Sequence, residues 1–135
     1  MANKLVRASV LAIGLALGSA AIAASKPDVP SVEDIMSEAH NKKKGVTPKV
    51  EAAVKDGKWD DAAKASDRLK VLGEALGKNA PAKGSKESWK KLSDEYKANT
   101  AAIDAGVKKK DAKAAQDALA KLAKACEVCH EAHRE

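Results

Sequence analysis

Near the end of the chain Ala115, Leu119, Leu122, Ala123, Cys126 and His130 recur at three- and four-residue spacing, and this stripe constrains the fold more than any other feature. Its period is that of an amphipathic helix, whose apolar face other elements must cover. The stripe runs into Cys126-Glu127-Val128-Cys129-His130. Residues three and four apart share a helix face, so the two thiols and the imidazole point the same way. A C-x-x-C-H run behind a secretory leader is the attachment signature of a c-type haem. Two thiols bond the porphyrin vinyl groups and the adjacent imidazole takes the iron.

Rival readings of the same residues fit less well. Cys126, Cys129, His130 and His133 are all ligand types for zinc or copper. Packed into eight consecutive helical residues, however, they surround one ion poorly, and no second ligand pair is visible. A redox dithiol belongs at a strand-to-helix junction in a βαβ setting, and no strand pattern precedes the motif. A disulfide across C-x-x-C within a helix strains the bond geometry.

Residues 1–24 read as a signal peptide: Lys4 and Arg7 form the charged start, Ala8 to Ala20 the apolar middle, and Ala21-Ile22-Ala23 a small-residue cleavage site. The apolar stretch is rich in Ala and Gly and gives way abruptly to polar sequence, which favours cleavage over a permanent span. No other segment is apolar for long enough to cross a bilayer. The expected product is one exported domain over residues 25–135, located in the periplasm if the source is bacterial. Haem would occupy both cysteines, leaving no structural disulfide.

Without Lys4 and Arg7, 23 basic residues face 19 acidic ones, a mild excess. The lysines are interspersed with Asp and Glu, and only Lys42 to Lys44 and Lys108 to Lys110 form short runs. Such a pattern is a solvated helical surface rather than a nucleic-acid interface.

The rest of the chain divides into helical stretches. Pro27 and Pro30 mark an extended lead-in, and Ser31 is a good N-cap with Glu33 and Asp34 in the first turn. Val32, Ile35, Met36, Ala39 and His40 follow at helical spacing. Gly45 and Thr47-Pro48 predict a break or kink, with Thr47 as N-cap and Pro48 at the first helical position, before a second piece carrying Val50, Ala53 and Val54. Asp60 and Asp61 open the next helix, striped by Ala62, Ala65, Leu69, Leu72, Ala75 and Leu76 and closed by Gly77. Lys78 to Gly84 forms the long joint. Ser85 caps a helix whose inner face is Trp89, Leu92, Tyr96, Thr100 and Ile103, and Asp111 starts the last one. No useful period-two alternation appears. The expectation is an all-α chain, an antiparallel up-and-down four-helix bundle with haem between facing helices.

These residues resemble the class II c-type cytochromes, the cytochrome c′ group and its six-coordinate relatives. The resemblance covers about residues 32–134. It is carried by Cys126-x-x-Cys129-His130-x-x-x-Arg134 and by Trp89 after the Pro81 joint. It implies His130 as proximal iron ligand, Arg134 near a haem propionate, and a deciding residue in the middle of the first helix. Six-coordinate members place Met there, and Met36 falls at that place. His40, one turn later on the same face, is the alternative distal ligand. At Val32 the chain departs from relatives that carry Arg four residues before the distal residue; nearby lysines are the candidate substitutes. His133 stands where the family often has Tyr and is expected to support the site or lie exposed.

A thioether opposite a histidine favours reduced iron, which suits a one-electron carrier working with redox partner proteins, one covalent haem c per chain. The alternative is a five-coordinate protein that binds NO or CO with Met36 packed aside. No Ser/His/Asp set, paired-carboxylate signal, P-loop or dinucleotide fingerprint points to an enzyme. Relatives often dimerise through the first two helices, which makes a homodimer possible without identifying a patch for it. The chain has no Phe, one Tyr and two Trp, and many of its candidate core positions are Ala, so its own core is thin. A buried haem would add the missing bulk. The haem-free chain is therefore expected to melt well below the haem-loaded one in calorimetry, and near-identical curves would refute this.

Overall fold

Side-chain capping marks three of the five helix starts among the described residues. A computed structural model describes residues 28–135; the leader read over residues 1–24 lies outside the described residues. Among the described residues there are five helices and no strand: α1 Val32–His40, α2 Val46–Lys55, α3 Trp59–Leu76, α4 Lys86–Lys108 and α5 Ala112–His133. The chain is all-α. Ser31, Ser85 and Asp111 each accept a hydrogen bond from the backbone N–H three residues on, satisfying one orphan donor at the starts of α1, α4 and α5.

The expected interruption near Gly45 is present, but its details differ. Gly45 itself is the N-cap of α2, so Pro48 sits at the third helical position rather than the first. Proline is tolerated there for the same reason as at the first position, since N–H groups of the opening turn have no helical partner. Asn41 organises the turn before it: its side-chain oxygen accepts from the N–H groups of Lys43 and Lys44, each at 3.0 Å. The α3 helix opens at Trp59, one residue before Asp60, with both aspartates in its first turn.

The helices pack in a defined order. Packing is most extensive between α4 and α5 and between α3 and α4, then between α2 and α3; α1 rests on α2 and α3, and α2 also touches α5. The shared core contains Ile35, Val50, Leu69, Leu72, Leu76, Ile103 and Leu122, all fully or almost fully buried. Leu69, Leu72 and Leu76 are the stripe expected for α3, while Leu92 on α4 is only half-buried. The α4 face instead includes Ser93, Thr100 and Asp104, all buried.

Buried Asp104 is fully partnered. Its Oδ1 accepts from Ser66 Oγ at 2.8 Å and its Oδ2 from Lys108 Nζ at 2.8 Å, joining α3 to α4. Lys108 extends the link to Asp67 of α3, also at 2.8 Å. Removing one partner of such a group costs more than the pair itself contributes.

Close approach of α3 and α4 depends on Gly73. A Cβ added there would collide with Thr100 Oγ1 and stand 3.0 Å from Thr100 Cβ. Gly73→Ala is therefore expected to lose about 1–3 kcal/mol to overpacking, against about 1 kcal/mol gained from helix propensity. Urea unfolding should show the net loss, and Thr100→Ala in the same chain should reduce it, since the Oγ1 and Cγ2 contacts go while the Cβ contact stays. An equal loss in both backgrounds would refute the packing argument.

Candidate functional site

The last turns of α5 are positioned from below by the joint between α3 and α4. The Trp89 indole N–H donates to the Asn79 carbonyl at 2.7 Å, and Asn79 Nδ2 in turn donates to the Pro30 carbonyl at 3.1 Å. Trp89 then presents an edge-to-face contact to His133, with ring centroids 5.3 Å apart. His133 is buried, 5 % exposed, and both its nitrogens are bonded: Nδ1–H donates to the Lys83 carbonyl at 2.7 Å, which leaves Nε2 to accept from Ser88 Oγ at 3.1 Å. Gly84 makes this possible. Its φ is +83°, and a Cβ there would stand 2.7 Å from the Ala132 carbonyl oxygen and from His133 Nδ1.

Above this anchor lies a cavity of about 860 Å³. Pockets of about 300–1,000 Å³ are the usual size for small-molecule and cofactor sites. From α5 it is lined by Leu119, Leu122, Ala123, Cys126, Cys129, His130 and His133, with Arg134 beyond; from α1 by Val32, Met36 and His40; and from α2 by Thr47 and Glu51. The wall is mainly apolar. Every residue singled out in the sequence thus faces one space: the two thiols, His130 and Arg134 from the end of the chain, and Met36 and His40 from the first helix. The α1 and α5 helices are hardly packed on each other, and the cavity lies between them.

Cys126 and Cys129 are free, half-buried thiols. Burial pushes both thiols up, with the Glu127 carboxylate adding to the effect at Cys126 and the Cys126 thiol adding to it at Cys129. Reactive redox dithiols show the opposite, a thiol depressed by a helix N-terminus or a neighbouring cation. Among the described residues, no group of three or more His, Cys, Asp and Glu side chains is gathered so as to hold a bare metal ion. The donor set instead suits a planar group bonded at one edge and ligated at its centre. His130 is exposed on the cavity side and Met36 is half-buried against the core, so one nitrogen and one thioether are available from separate helices. No lysine lines the cavity; Arg134 is its one Lys- or Arg-type cation among the described residues, beside Glu33, Glu51 and Glu135.

His40 occupies a more elaborate setting than its helical spacing indicates. Its Nε2 is 2.9 Å from Tyr96 Oη and its Nδ1 is 3.2 Å from Thr47 Oγ1, which joins α1, α4 and α2 behind the cavity wall. The His40 and Tyr96 rings meet edge to face at 5.8 Å. Tyr96 is buried, and burial, reinforced by Cys126 and Cys129, pushes its phenol well above the usual range. Tyr96 and Thr47 were absent from the sequence-derived site. One signal pointed to them: the chain's single tyrosine falls on an inner helix face, and a buried phenol needs a partner.

Comparisons with protein-family models, with curated proteins and with solved structures found no match. No helix of the described residues is long and apolar enough to cross a membrane.

Burial lowers the His40 pKa from 6.5, and the charge of His130 lowers it further. A depressed histidine stays neutral in the fold but is protonated first in the unfolded chain. Its contribution to stability is therefore whole above pH 6.5 and is lost progressively as the pH falls below that value. Urea midpoints of the wild type should fall more steeply below pH 6.5 than those of His40→Gln. Parallel curves would contradict the assignment.

Proposed function

We propose that the chain is an exported, monohaem c-type cytochrome of the class II kind that carries single electrons between redox partner proteins. The observation that carries this reading is the convergence of Cys126, Cys129 and His130 from α5 with Met36 from α1 on one mainly apolar cavity. Cys126 and Cys129 Sγ would hold the porphyrin as thioethers, His130 and Met36 would ligate the iron, and Arg134 would pair with a propionate. Bound there, haem c supplies reversible one-electron exchange at its iron, and a Met/His pair raises its potential. The chain's other contribution is exclusion of water by Val32, Leu119 and Leu122 on the cavity wall.

The packing order supports reading α1 and α2 as one interrupted helix, which makes the domain an antiparallel four-helix bundle with its cofactor between the first and last columns. The raised thiols favour this reading over a dithiol oxidoreductase. Proteins and not nucleic acids are the proposed partners, since the basic residues are interspersed with acids. The periplasm is the proposed location, and a homodimer is compatible with the reading.

The test is spectroscopic, on protein produced with haem-attachment machinery. The wild type should retain its haem on a denaturing gel, show a six-coordinate iron with a thioether signature, and bind carbon monoxide slowly when reduced. Met36→Ala should lose the signature and bind carbon monoxide at least tenfold faster. Rapid, tight binding by the wild type would instead mark a five-coordinate gas-binding protein, and absence of covalent haem would overturn both.

A further inference from the structure

We propose that Tyr96 is a positioning residue that decides which atom completes the iron's coordination: by bonding His40 Nε2, it withholds that imidazole and leaves Met36 as the distal donor. This rests on the haem reading above. It concerns a question that the spacing of Met36 and His40 leaves open, because both lie on the cavity side of α1, one turn apart.

The argument starts from the valence of imidazole. A neutral ring has one N–H and one lone pair, and a metal needs the lone pair. Metal-binding histidines ordinarily donate the opposite N–H to an oxygen, which fixes the tautomer and aims the free nitrogen. Thr47 Oγ1, 3.2 Å from Nδ1, is such an oxygen. His40 is thus oriented as a ligand would be, except that Tyr96 Oη stands 2.9 Å from Nε2. If Nδ1–H donates to Thr47, the phenol O–H donates into the Nε2 lone pair. If the ring takes the other tautomer, Nε2 carries the proton and has no lone pair to give. In both arrangements Nε2 must give up Tyr96 before it can meet a metal.

The lock is stiff. Tyr96 is buried on α4 and its ring meets His40 edge to face. Breaking the bond to free His40 would strand a buried hydroxyl. Met36 meets no such obstacle, since a thioether needs no proton removed and forms no competing strong hydrogen bond.

Tyr96→Phe in the haem-loaded protein removes the lock while keeping the ring. The expected result is loss of the thioether charge-transfer band, a bis-histidine type of ferric magnetic spectrum and a lowered reduction potential. His40→Ala added to Tyr96→Phe should restore the thioether band and return the potential toward the wild-type value. Circular dichroism of each variant should match the wild type. An unchanged spectrum and potential in Tyr96→Phe would overturn this inference alone. So would a change that persists in the double variant, because it would then not pass through His40. Failure of the wild type to carry haem, or indifference of its spectrum to Met36→Ala, would overturn the underlying reading and this inference with it.

Discussion

The candidate site depends on one buried imidazole. His133 lies in the last turn of α5 and accepts no free choice of position: its Nδ1–H is bound to the Lys83 carbonyl, its Nε2 to Ser88, and its ring edge to Trp89. A fully satisfied buried polar group of this kind specifies one arrangement, because every alternative leaves a donor or acceptor unpaired. Cys129 and His130 sit within a turn of it on the same helix. Their direction is inherited from a contact that they do not make. Gly84 contributes by absence, since a side chain there would push the joint away from α5.

Elsewhere the chain fills its interior sparingly. Alanine occupies many inner positions, and the larger residues Leu69, Leu72 and Leu76 of α3, Ile103 of α4 and Leu122 of α5 belong to one shared core. Between α1 and α5 there is little packing, and apolar side chains there face a cavity rather than one another. Side chains lining such a space lack dispersion partners on one side, so the apolar wall has contact energy in reserve for whatever fills it. Outside the cavity lining, Asp104 holds α3 to α4 through Ser66 and Lys108.

Much of this was legible in the residues. Ser31, Ser85 and Asp111 announced helix starts because their short side chains cap free N–H groups, and the α3 leucine stripe announced its buried face. The α5 stripe and its terminal motif marked the residues that line the cavity from that helix. Three features were less visible. Gly45 displaced Thr47 as the cap of α2, since the exposed turn held by Asn41 folds back on buried Gly45, where a Cβ would meet the Asn41 backbone. Asp104 and Ser93 look like surface residues in a helical pattern, yet partners on other helices or on the backbone make their burial tolerable. His133 gave no sign of its bonds, because the Lys83 carbonyl and Ser88 are about fifty residues away in sequence. Pairings of this range are set by the packed fold and leave no local pattern.

The cavity also has a temporal meaning. Its two main walls are Met36 and His40 on one side and Cys126 to His130 on the other, separated by roughly ninety residues of intervening chain. Local hairpins of α3 with α4 and α4 with α5 can close early, whereas bringing α1 against the end of α5 closes the longest loop in the domain and is deferred by its entropy. The α5 side chains that line the cavity are therefore the last to lose solvent, and the arrival of α1 is the event that shuts the door.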